Sequence, residues 1–234
     1  MLDGWDHYCC LIAGRPAAVL VDLDVEVRAP CSGLSRLVCV RLALRAPGDD
    51  GLATAEESAA LDALETELRG RLQAGRYVAR VTTDGRAELH FYLPDDEGVR
   101  STVEAALSNH GYEGDVSASD DLDWEWFLGT LLPSPLERQK MLNRRRIDDL
   151  APVGAVLVKH TLLFPTAISR DTALSALLRR GFTMEGPVDA EGVLRFGLVL
   201  TQTSELSAAA LDRAVEVLFE QAEDQGGAYL EWTL

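Results

Sequence analysis

Along this chain, runs in which apolar and polar residues alternate with a period of two are separated by stretches in which apolar residues recur every three or four positions. The order strand, helix, strand, strand, helix, strand can be read twice. Residues 5–12 and 17–23 read as a preliminary hairpin around Gly14-Arg15-Pro16, and the alternating run 35–45 opens the first repeat. Thr54 followed by Glu57 starts a helix over 55–74 with Leu61, Leu64, Leu68 and Leu72 on one face, ended by Gly75. Strands at 77–82 and 86–93, a helix at 96–109 and a strand at 112–118 complete that repeat. Trp124-Glu125-Trp126-Phe127-Leu128 reads as one more strand, pairing with the hairpin and placing Trp124 and Trp126 on one face. Ser134-Pro135-Leu136-Glu137 starts a helix over 135–150. The second repeat follows as strand 155–164, helix 167–180, strands 182–188 and 193–201, helix 205–224 and strand 228–233.

This pattern predicts an α+β protein of two tandem ferredoxin-like βαββαβ units, with the helices on one face of each antiparallel sheet. The domain reading is 1–134 with its extra hairpin, a linker helix over 135–152, and 153–234. Hairpin register follows from keeping one clean apolar face. A three-residue loop at Thr83-Asp84-Gly85 sets Tyr77 against Phe91, Ala79 against Leu89 and Arg80 against Glu88. A loop at Ala190-Glu191-Gly192 sets Val188 against Leu194, Met184 against Leu198 and Phe182 against Leu200.

In the first repeat the sheet face away from the helices then carries Arg41, Arg80, Glu88, His90 and Tyr92, with Cys39 and Val78 between them. An Arg, His and Tyr grouped on a sheet can grip an anionic ligand or a partner's carboxylates. The same residues can equally form a solvated face of cross-strand ion pairs such as Arg80 with Glu88.

Charge narrows the partners. The net charge is −16, and residues 1–134 carry 11 Lys/Arg against 24 Asp/Glu. Such a surface repels phosphate backbones and disfavours direct nucleic-acid binding, whereas it suits a basic protein partner. Acids cluster at Asp95-Asp96-Glu97 and at Asp115, Asp120, Asp121 and Asp123, where they form either solvated loops or an acidic rim.

Catalytic patterns are missing from the sequence. The histidines His7, His90, His110 and His160 stand singly, without metal-ligand spacing, and no nucleophile elbow or phosphate-cradling Gly loop occurs. No metal, cofactor or catalytic set is therefore expected. His160 alternates with Val156, Val158 and Leu162, as a buried, hydrogen-bonded histidine would. Cys9, Cys10, Cys31 and Cys39 suit neither a zinc knuckle nor a disulfide framework and read as reduced, mostly buried thiols. The N-terminal residues have no targeting pattern and no apolar run reaches membrane-span length, so a cytoplasmic protein is expected. Arg outnumbers Lys twenty to two, as in GC-rich bacterial genomes.

Gly4-Trp5-Asp6-His7-Tyr8, Arg80-Val81-Thr82-Thr83-Asp84-Gly85-Arg86, and Asp123-Trp124 followed by Leu132-Pro133-Ser134-Pro135-Leu136-Glu137-Arg138 resemble the DUF695 family over about residues 4–138. From about residue 150 the chain resembles regulator of ribonuclease activity B. His160 lies in a strand ending Leu163-Phe164, a helix leads to Arg180-Gly181-Phe182, and the chain closes on Gly226-Gly227-Ala228-Tyr229-Leu230-Glu231-Trp232. The resemblance implies a ferredoxin-like second domain and a protein inhibitor that binds the endoribonuclease RNase E, and it adds His160, Tyr229 and Trp232 to the candidate partner-binding residues. The leading expectation is a non-catalytic, protein-binding regulator, with a ribonuclease of basic surface as its partner. An immunity or antitoxin protein against a basic nuclease toxin is one alternative. A small-molecule receptor or enzyme using the Arg41, Arg80, His90 and Tyr92 face is the other.

Overall fold

A computed structural model describes residues 4–150 and 154–234, which divide into two units, Met1–Ser134 and Pro135–Leu234. The protein is α+β, with two antiparallel sheets. The first unit contains β1 (Trp5–Ile12), β2 (Arg15–Asp22), β3 (Arg36–Ala43), α1 (Ala55–Arg71), β4 (Arg76–Thr83), β5 (Arg86–Leu93), α2 (Val99–His110) and β6 (Gly114–Asp120). Its six strands run in the order β1-β2-β4-β5-β3-β6. The last four strands of that series have ferredoxin-like order, and the β1-β2 hairpin extends the sheet beyond β4, leaving β6 outermost on the other side.

Leucines at helical spacing on α1 explain its docking. Leu61, Leu64 and Leu68 are fully buried against Val38, Val40, Leu89 and Phe91 of the sheet, with Val103 and Leu107 of α2 beside them. Burial of each such side chain contributes about 1.5–3 kcal/mol. Thr54 caps α1 by accepting from the Glu57 amide at 3.3 Å. Glu57 does not reach back to the cap; it is buried, accepting from the Tyr112 hydroxyl at 2.8 Å and the Arg45 amide at 3.2 Å. Burial opposes its charge, but these donors and the Arg45 guanidinium hold its carboxyl below the usual value.

The β4–β5 register differs from the sequence reading. The loop has two residues, Asp84 and Gly85, both with positive φ (51° and 71°), and Arg80 lies opposite Leu89. A bulge between Tyr77 and Ala79 then restores the Tyr77–Phe91 pair. The inserted residue lets Tyr77 and Arg80, three apart, share the helix side of the sheet.

Residues 124–128 are not a strand. Trp124 has a left-handed backbone (φ 57°), and a π-helical turn follows over Phe127–Leu131. Trp124, Phe127 and Leu131 are buried while Trp126 remains 43% exposed, so the two tryptophans do not share an outward face. Tyr8 donates to the Leu131 carbonyl at 3.1 Å, and the Trp124 indole donates to the Leu34 carbonyl at 2.7 Å. The segment thus covers part of the sheet face that the helices leave open.

The second unit contains α3 (Pro135–Asp148), β7 (Ala155–Phe164), α4 (Ala167–Arg179), β8 (Thr183–Asp189), β9 (Phe196–Glu205), α5 (Ala208–Asp224) and β10 (Ala228–Thr233). Its strand order, β10-β7-β9-β8, is again ferredoxin-like. The helix read as a linker packs on α5: Lys140 pairs with Glu216, and the Asn143 amide donates to Asp212 at 2.9 Å. The β8–β9 register also departs from expectation. Met184 faces Leu200 and Val188 faces Gly197, across a six-residue loop closed by the Ala190 amide on the Arg195 carbonyl. A Cβ on Gly197 would lie 2.2 Å from a Val188 methyl, which explains a glycine in mid-strand. Among the described residues no helix is long and apolar enough to cross a membrane.

Candidate functional site

Strand alternation places Cys39 and Arg41 of β3, and Glu88, His90 and Tyr92 of β5, on the face of the first sheet opposite α1 and α2. Register fixes their contacts, because Cys39 lies opposite His90 and Arg41 opposite Glu88. Arg41 Nε donates to Glu88 Oε1 at 2.9 Å, and its Nη1 donates to Ser117 Oγ at 3.3 Å. Glu88 Oε2 turns the other way, 3.9 Å from Cys39 Sγ and 3.7 Å from His90 Nε2. His90 is 1% exposed, and neither ring nitrogen has a hydrogen-bond partner among the described residues. Burial lowers its pKa to about 4, and burial together with Glu88 pushes the Cys39 thiol up to about 12.

Two members of the expected group play other roles. Arg80 is on the opposite face because of the β4 bulge, where its guanidinium donates to Glu65 at 2.6 Å and Asp62 at 3.0 Å on α1. Its expected pairing with Glu88 is therefore replaced by one with Glu65. Tyr92 is fully buried under Trp124, with ring centroids 3.8 Å apart. Its hydroxyl donates to Asp121 at 2.5 Å and accepts from the Phe127 amide at 3.3 Å. A ligand grip combining Arg41, Arg80, His90 and Tyr92 is not available in this arrangement.

The acidic rim is also partly internal in purpose. Arg36 bridges Asp120 at 2.7 Å and Asp96 at 3.0 Å. Asp121 accepts the Tyr92 hydroxyl and the Glu125 and Trp126 amides, so it anchors the covering segment rather than facing a partner. Asp123 is exposed, as are Glu113, Asp115 and Glu125.

In the second unit the three candidate residues lie in the interior, which removes them as direct partner contacts. His160 is 1% exposed, and its Nδ1 is 3.0 Å from the Tyr229 hydroxyl. Burial alone lowers its pKa to about 4. Trp232 is 3% exposed, donates to Asn143 of α3 at 2.8 Å and lies under the Arg146 guanidinium. A bulge between Tyr229 and Glu231 turns both aromatic side chains to the helix side of the sheet.

Sequence reasoning put Cys39 on the right face but treated it only as a buried thiol. The missing signal was the β3–β5 register, which a strand pattern alone does not set. It also missed a cleft of about 380 Å³ beside Trp5, Asp22, Arg69, Arg76 and Tyr77. The cysteines are less buried than expected: none forms a disulfide, only Cys39 is buried, and Cys9 is exposed.

A family profile described as a family of unknown function, DUF695, matches residues 3–132. The chain belongs to the DUF695 family. The DUF695 match spans the six-stranded unit, including the covering segment with Trp124 and Phe127. No curated protein matches the chain. Two solved structures are similar at 10% identity. One is the crystal structure of a "putative glycine cleavage system transcriptional repressor", covering 85% of this chain and 97% of that one at a TM-score of 0.27. The other is an unknown protein from Galdieria sulphuraria, covering 85% and 99% at a TM-score of 0.21. At those scores neither bears on function.

Proposed function

We propose that this protein is a cytoplasmic, non-catalytic regulator that docks on the basic surface of a ribonuclease through the acidic side of its first unit. The observation that carries this reading is charge in place: 24 acids against 11 bases over residues 1–134, with exposed Glu113 and Asp115 at the outermost strand β6 and exposed Asp123 and Glu125 just beyond it. Carboxylates so arranged resemble the phosphates that a nuclease surface is built to meet, and complementary charge speeds and orients docking. An outermost strand also offers unpaired backbone groups for a partner's strand. The choice of an RNase E-type enzyme as partner rests on the sequence resemblance of residues from about 150 onward to regulator of ribonuclease activity B, a stretch that lies outside the DUF695 match over residues 3–132.

The test is inhibition of such an endoribonuclease by the purified chain on a fluorogenic RNA. Inhibition at low salt that weakens roughly tenfold or more as salt rises from about 50 to 300 mM supports the proposal. The variant Glu113→Gln, Asp115→Asn, Asp123→Asn, Glu125→Gln should lose most of it. Full RNA cleavage at saturating protein and low salt would reject the ribonuclease assignment.

A further inference from the structure

The open face of the first sheet carries a group that docking chemistry does not use. Cys39 Sγ, a Glu88 carboxylate oxygen and a His90 ring nitrogen all lie within 4.8 Å of one another. They combine a soft sulfur, an imidazole and a carboxylate, the donor types that bind zinc and its divalent neighbours. Donors about 2.0–2.3 Å from a tetrahedral zinc stand roughly 3.3–3.8 Å apart. The pairs Glu88–His90 at 3.7 Å and Glu88–Cys39 at 3.9 Å are close to that spacing.

A second observation points the same way. His90 is buried with both ring nitrogens unpartnered among the described residues, in a protein whose other buried histidine has a hydroxyl partner at 3.0 Å. Leaving a buried polar group unpaired costs about 1–3 kcal/mol, and a metal ion in reach would satisfy one nitrogen. The frame is rigid, since all three residues come from paired strands β3 and β5 in fixed register. Arg41 holds the far carboxylate oxygen of Glu88 at 2.9 Å, the kind of outer contact that orients a ligating carboxylate.

We infer that Cys39, Glu88 and His90 form a binding site for one zinc-class divalent cation, with solvent completing the coordination. Binding displaces the Cys39 proton to solvent, so sulfur enters as thiolate and no redox partner is needed.

Cobalt(II) is the probe, because sulfur ligation gives it a thiolate-to-metal charge-transfer absorption. Titrating the reduced full chain should raise that band to saturation at one equivalent, and zinc should abolish it by displacement. Cys39→Ser should lose the band while Cys9→Ser and Cys31→Ser keep it, and His90→Gln should weaken binding at least about tenfold. Circular dichroism confirms that each variant is folded. A variant that fails to fold leaves the wild-type titration as the deciding result. No charge-transfer band in the folded wild type, or a band that persists in folded Cys39→Ser, would overturn the assignment.

Discussion

Trp124 combines a left-handed backbone with complete burial, a conformation that non-glycine residues adopt only when the surroundings compensate. The compensation is visible: its ring stacks on Tyr92 and meets Phe127 edge-on, and its indole reaches the Leu34 carbonyl. Trp124→Ala should therefore destabilise the first unit by about 3–5 kcal/mol in urea unfolding, whereas Trp126→Ala, at a half-exposed position, should cost far less. His160 supplies a second residue-level expectation. Its folded pKa, about 4, lies below the ordinary 6.5, so the unfolded chain binds more protons between those values. The neutral-histidine contribution is complete above about pH 6.5 and is lost as pH falls toward 4, by up to about 3 kcal/mol. The groups facing it, Tyr229 and Phe182, carry no charge in that range. Unfolding measured at pH 7 and pH 4.5 should show a steeper loss in the wild type than in His160→Gln, and equal losses would refute the burial argument.

At the scale of elements, most of the order was legible because caps and periodicity are local properties. Strands 155–164 and 228–233 occur where the alternation put them, and Thr54, Pro135 and Gly181 mark their helix ends. What was not legible depends on tertiary contacts. A bulge adds a residue without disturbing alternation enough to be seen, so the faces of Arg80 and Trp232 could not be read from spacing. The 124–128 run imitates a strand, with aromatics two apart, and only its anchors on Asp121 and Tyr92 bend it into a turn. The Arg80 side chain tests the corrected register directly. It neutralises Glu65, a carboxylate that burial pushes up in pKa and that is 6% exposed. Arg80→Ala should cost about 3–5 kcal/mol by leaving that acid unpaired, and adding Glu65→Leu to an Arg80→Met background should recover most of the loss. If Arg80→Ala proves silent in chemical denaturation, Arg80 does not face α1.

At the scale of the molecule, two sheets of ferredoxin-like order repeat one design, but only the first carries the extra hairpin, the covering segment and the large excess of acids. The candidate site was thus half legible. Surplus charge is a property of composition, while the choice of which acids remain without an internal partner depends on contacts far apart in sequence: Arg36 pairs with Asp96 and Asp120, which stay exposed, and the Tyr92 hydroxyl engages Asp121. The most direct test is an equilibrium binding isotherm between this chain and an RNase E-type endoribonuclease, measured at several salt concentrations. The docking account predicts a saturable complex whose affinity falls steadily with salt, and whose salt slope flattens in the Glu113, Asp115, Asp123 and Glu125 neutralised variant. A complex indifferent to both salt and those four substitutions, or no complex at low salt, would contradict it.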